Sequence, residues 1–81
     1  MKVTVLVRPK PGILDPQGEA VRDSLVKLGF AVTRAHVGRL IDLEVEAESP
    51  AVAAMQVEKM CSDLLANELI ESFEVRVDEE T

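Results

Sequence analysis

KPGILDPQGEAV, residues 10–21, follows a short run of alternating apolar residues and gathers two prolines and two glycines around one aspartate. It has three readings: a loop that holds a phosphate, the start of a helix, or a surface that another protein reads. Asp15-Pro16 favours the second, because an aspartate at an N-cap accepts an orphan N–H and a proline at the first helical position lacks a donor that would go unused there. A helix therefore starts at residue 16 and the stretch before it is a turn.

Upstream, Val3, Val5 and Val7 alternate with Lys2, Thr4 and Arg8, the period of a half-buried strand, with Leu6 the exception on the polar side. Downstream, Val21, Leu25 and Leu28 recur at helical spacing and Gly29 supplies a stop, so residues 16–28 form an amphipathic helix. Residues 30–37 are rich in strand formers, Gly38 sits at a turn, and Ile41, Leu43 and Val45 alternate with Asp42, Glu44 and Glu46, which predicts a hairpin.

Ser49-Pro50 repeats the cap-then-proline device, and Ala53, Val57, Met60, Cys61 and Leu64 draw an apolar stripe along a second helix to about Ala66. Phe73, Val75 and Val77 alternate as a last strand, and residues 78–81 form an acidic tail expected to fray. The order β-α-β-β-α-β predicts an α+β, ferredoxin-like two-layer sandwich: one antiparallel sheet with both helices on one face. Its other face would show Lys2, Leu6, Arg8, Glu44, Glu46, Glu74 and Arg76, a mixed surface for charge pairing or for a second subunit, so sheets are expected to associate between subunits.

At 81 residues the chain is one domain, 1–81, near the size at which burial only just outweighs chain entropy, which again favours oligomerisation. Hydrophobic residues make up 47% of it, yet the aromatics are Phe30 and Phe73 alone, so the core is aliphatic. One cysteine, Cys61, rules out an internal disulfide framework and fits a reducing compartment. No apolar run suits a signal peptide or a bilayer span, and a cytoplasmic protein is expected.

Net charge is −6, unevenly spread: residues 1–41 carry seven Lys/Arg against three Asp/Glu, residues 42–81 two against twelve. An acidic chain without a basic stripe or stacking aromatics is a poor nucleic-acid binder. The loop at residues 10–18 lacks the G-K-[ST] of a phosphate loop, and Asp15 would repel an anion from the helix start. Pro11-Gly12 as a turn and Asp15 as a cap account for four residue types without a ligand, but leave Lys10, Ile13, Leu14 and Gln17 unexplained. The apolar pair is either a local staple or a partner contact.

His36 has no triad, since Cys61 lies on the apolar stripe of the second helix and reads as a buried, inert thiol. With one histidine no spacing advertises a metal site. Asp42, Glu44, Glu46 and Glu48 form a solvated or partner-facing row rather than a shifted acid pair. Arg34 and Arg39, flanking the expected hairpin turn, suit an anion, an acidic partner, or simply solvent. The residues describe a subunit without a catalytic set of its own.

Strand, K-P-G-I-L-D-P-Q-G, a helix ending L-G-F, the Val37-Gly38-Arg39 turn and the stretch CSDLLANELIESFEV at residues 61–75 together resemble the PurS family, the small subunit of phosphoribosylformylglycinamidine (FGAM) synthase. The likeness runs from Val3 to about Val77. Family members often have proline after the asparagine, where this chain has Glu68, and lysine after the turn glycine, where it has Arg39. The resemblance implies a non-catalytic adaptor in de novo purine synthesis, carrying no cofactor. A PurL partner would use ATP and magnesium to activate the amide of formylglycinamide ribonucleotide, and a PurQ glutaminase would supply ammonia. It also implies a homodimer, or a dimer of dimers, with Lys10, Asp15, Gln17 and Gly18, then Arg39 and Asn67, as the matching partner-interface residues. Two alternatives share the element order: an acylphosphatase-like enzyme, for which Arg8 and Asn67 are nominal candidates, and an ACT-like domain that binds small molecules. The three prolines at 9, 11 and 16 remove backbone donors that an acylphosphatase anion loop needs.

Overall fold

The computed structural model describes residues 1–78. In chain order they form β1 (Lys2–Pro9), α1 (Pro16–Lys27), β2 (Arg39–Glu44), α2 (Pro50–Met60), a π turn (Cys61–Leu65) and β3 (Glu71–Asp78). The alternating valines of β1 place it at the centre of an antiparallel sheet of order β2-β1-β3, with Val5 opposite both Ile41 and Val75. Val3, Val5 and Val7 point to one face and are buried, with Ile41, Leu43, Phe73, Val75 and Val77 half-buried beside them. A fully buried valine contributes about 1.5–3 kcal/mol, so this one strand supplies much of the core.

Both expected caps form. Asp15 Oδ1 accepts the N–H of Gly18 at 3.0 Å and Ser49 Oγ accepts that of Val52 at 3.2 Å, each ahead of a proline that opens its helix. Gly29 ends α1 with φ +97°, a conformation that favours a residue without Cβ. Along α2 and into the turn that continues it, Ala53, Val57 and Cys61 recur every fourth residue and bury one stripe against the sheet. The N–H of Ala66 then bonds the carbonyl of Cys61, five residues back. That one-residue widening turns the later side chains, so Leu65 packs on the core while Leu64, expected on the stripe, is 84% exposed.

The α+β sandwich with one antiparallel sheet is present, but the hairpin expected from residues 30–37 is not closed: those residues form no ladder among the described residues. A tight hairpin at residues 37–39 needs positive φ in the turn, and Gly38 has none; the positive-φ glycines are Gly12 and Gly29. The chain passes Gly38 without reversing and continues along β1, where a Cβ on Gly38 would run into the carbonyl oxygen of Val7. Only α2 packs on the sheet, over β3 and β1; α1 stands off it, and the molecule measures 50 × 28 × 14 Å. The acidic tail expected from residue 78 begins at the last residue of the final strand. Asp78 is the end of β3, opposite Lys2, while residues 79–81 lie outside the described residues.

Candidate functional site

The candidate residues fall into two groups, each held by one carboxylate. In the first, the turn at residues 10–13, closed by a bond from the N–H of Ile13 to the carbonyl of Lys10 (3.2 Å), delivers Asp15 to the start of α1. The side chain of Asp15 is only 12% exposed. Its Oδ2 accepts the N–H of Val37 at 2.9 Å, while Oδ1 caps the helix at Gly18. These two N–H bonds, that of Val37 first, hold the Asp15 carboxyl below its ordinary pKa, with His36 Nδ1 3.6 Å away adding a smaller pull. Gly18 is buried because a Cβ there would meet the carbonyl of Ala35 and Asp15 itself. Asp15 and Gly18 thus dock the head of α1 onto residues 35–37, an internal task.

Besides Pro11, Gly12 and Pro16, which shape the turn and the helix start, this loop leaves Lys10, Leu14 and Gln17 on the surface. Leu14 is 78% exposed, so it does not act as a staple. Beside them opens a groove of about 770 Å³ between the loop, α1 and residues 33–36, with Ile13, Glu19, Arg22, Arg34 and His36 among its walls. Arg22 pairs with Asp23 at 2.9 Å and lies 3.9 Å from Glu19, so the lining is of mixed charge.

In the second group, β2 and β3 flank β1 and carry Arg39 and Glu71 on the same side of the sheet. Arg39 forks onto Glu71, Nη1 to Oε2 at 2.9 Å and Nη2 to Oε1 at 3.2 Å, and Nη2 also reaches the carbonyl of Leu65 at 2.7 Å. The N–H of Asn67 donates to Glu71 Oε1 at 2.8 Å, and Asn67 Oδ1 takes the N–H of Leu69 at 3.1 Å. That Asn67 bond first, then Arg39, keeps the Glu71 carboxyl below its ordinary pKa. Arg39 and Asn67, 28 residues apart in sequence, therefore meet through one glutamate and close the turn after α2. Glu68 accepts a bond from Ser62 Oγ at 2.9 Å.

Sequence reading missed Glu71, Ala35 and Val37 as partners of these residues. Glu71 sits 32 positions from Arg39, and nothing local marks it. The remaining candidates take ordinary places: Cys61 is buried, which raises its thiol pKa, and Asp42 accepts a bond from Thr4 Oγ1 at 2.8 Å on the open sheet face. Among the described residues no group of His, Cys, Asp and Glu could hold a metal ion, and no helix is long and apolar enough to cross a membrane.

Comparison with known proteins matches residues 2–79 to the family described as PurS, phosphoribosylformylglycinamidine (FGAM) synthase. A phosphoribosylformylglycinamidine synthase subunit PurS from Synechocystis is 40% identical over 70 residues, covering 85% of this chain and 70% of that one. The crystal structure of Methanocaldococcus jannaschii PurS, one of the subunits of formylglycinamide ribonucleotide amidotransferase in the purine biosynthetic pathway, superposes with a TM-score of 0.87 at 34% identity, over 99% of this chain and 98% of that chain. A chain of the PurLQS structure from Thermotoga maritima does so with a TM-score of 0.84 at 37% identity, over 93% of both.

Proposed function

The chain belongs to the PurS family, and on that premise we propose that it is the non-catalytic adaptor of an FGAM synthase, bringing a PurQ glutaminase and a PurL synthetase together and supporting passage of ammonia between their sites. The observation that carries this reading is its likeness, over 93% of its length, to a chain of the PurLQS structure. In this role the cytoplasmic complex makes the carbon–nitrogen bond. PurL supplies the ATP and magnesium chemistry, PurQ the ammonia, and this chain, as a homodimer, the surfaces. Lys10, Gln17 and Leu14 face outward from the first loop and serve as its contact points, while Asp15 and Gly18 set the loop's shape. Arg39 and Asn67 act on the interface in the same indirect way, by fixing the turn between α2 and β3. Uneven charge between the chain's halves suits polar interfaces, where complementarity raises encounter rate and specificity.

The test is glutamine-dependent amidine formation by purified PurL and PurQ with and without this chain, with gel filtration of the same mixtures. Activity and co-elution only when the chain is present support the adaptor; full glutamine-dependent activity in its absence refutes it.

A further inference from the structure

The short turn between α2 and β3 is bonded along its whole length. Asn67 Oδ1 takes the N–H of Leu69 at 3.1 Å, and the N–H groups of Ile70 and Glu71 both return to the Asn67 carbonyl, at 3.0 and 2.7 Å. Arg39 and Glu71 brace it from the sheet, and Ser62 Oγ ties Glu68 back to the π turn. The N–H of Lys10 reaches the Ile70 carbonyl at 2.9 Å, which fastens the loop after β1 to the same place.

What this scaffold holds out is apolar. Leu64 and Leu69, on either side of Asn67, are 84% and 85% exposed, the highest values among the large apolar residues described. A loose turn could fold such side chains back onto the protein; a turn bonded at both ends keeps them in solvent. Exposed leucines rimmed by polar residues mark a surface that a partner covers, and a turn already ordered gives up little entropy when it binds.

Charge selects the partner. Burial first, then the charges of Glu58 and Glu68, raise the Cys61 thiol pKa, which places both carboxylates at this end of α2. Neither is paired with a cation among the described residues, whereas Asp63 is neutralised by Lys59 at 3.1 Å and Glu71 by Arg39 at 2.9 Å. Against these two charges the rim sets one unpaired cation, Lys10, across a shallow depression that it shares with Glu68. The rim is therefore net negative. A second copy, itself at −6, would bring like charge against it.

We propose that Leu64 and Leu69 dock into an apolar socket, rimmed with lysine or arginine opposite Glu58 and Glu68, on one of the two enzymes that the adaptor joins. Arg39, Asn67 and Glu71 are then positioning residues for this contact. The inference rests on the adaptor reading and gives it a docking point outside the loop at residues 10–18.

The test is calorimetric binding of the chain to purified PurL and to purified PurQ, separately, for wild type, Leu64→Ser/Leu69→Ser and Glu58→Lys. Both leucines are exposed, so the double variant should keep the wild-type melting temperature and the wild-type mass by light scattering. Its Kd for one of the two enzymes should rise by about tenfold or more, the scale of a truncated contact residue. Glu58→Lys should weaken the same complex and make it less sensitive to salt. Unchanged affinity of the double variant for both enzymes overturns the docking site and leaves the adaptor standing. Unchanged affinity of Glu58→Lys overturns the basic rim. A lower mass for the double variant assigns the leucines to contact between copies and overturns the proposal as well. A wild-type chain that binds neither enzyme overturns the adaptor reading itself.

Discussion

Asp15 Oδ2 accepts the N–H of Val37, 22 residues further along the chain, at 2.9 Å, while Oδ1 of the same carboxylate caps α1 at Gly18. One side chain thus terminates a helix and fixes the direction in which the helix and its return segment leave the sheet.

Asp15→Ala should therefore lower thermal stability more than Ser49→Ala does. Ser49 is a cap alone, worth about 1 kcal/mol, or roughly 4–8 °C in Tm for a domain of this size. Asp15→Ala removes its cap and also leaves the Val37 N–H without an acceptor. Thermal melts of the two variants decide the order, and an equal or smaller loss for Asp15→Ala would show that the Val37 bond contributes nothing.

Gly18→Ala sets two effects against each other. Helix propensity favours alanine by about 1 kcal/mol. The added methyl group, however, meets the Ala35 carbonyl and the Asp15 carboxylate, which are backbone and a fixed cap rather than the end of a flexible side chain. Overpacking costs typically about 1–3 kcal/mol, so the net effect should be a loss of stability in urea melts. A gain would mean that the head of α1 moves freely away from residues 35–37.

Acid should weaken the fold through Asp15 and Glu71. Both carboxyls have pKa values lowered by folding, from ordinary values of 3.8 and 4.5, so each binds protons more readily when unfolded. Their contribution to stability is complete above those ordinary values and is lost as pH falls through the lowered ones. Urea midpoints measured downward from about pH 6, above that window, should decline more gently for Asp15→Asn and Glu71→Gln than for the wild type. Identical slopes would show that neither group is coupled to folding.

Gln17→Ala should leave stability within about 0.5 kcal/mol of wild type, as exposed substitutions do, and weaken assembly with PurL and PurQ. Gln17 is exposed beside Lys10 and Leu14 and has no internal task like that of Asp15. Gel filtration of the three-component mixture is the readout. Normal assembly would remove the partner-facing role of this loop.

Much of this protein is legible in its sequence because the governing signals are local. Alternation at Val3, Val5 and Val7 chooses the central strand, and Asp15-Pro16 and Ser49-Pro50 choose where both helices begin; each needs only neighbours a few residues away. The family likeness in residues 10–18 is legible for the same reason. What tertiary structure alone decided depends on distant partners. Arg39 meets Asn67 only because Glu71 arrives across β1, and Leu64 faces solvent only because the turn after Cys61 is one residue wider than an α-helical one. Residues 30–37 have the composition of a strand, but a strand exists only where another backbone lies alongside. Gly38 runs straight, Asp15 holds Val37, and so no second backbone lies alongside them among the described residues.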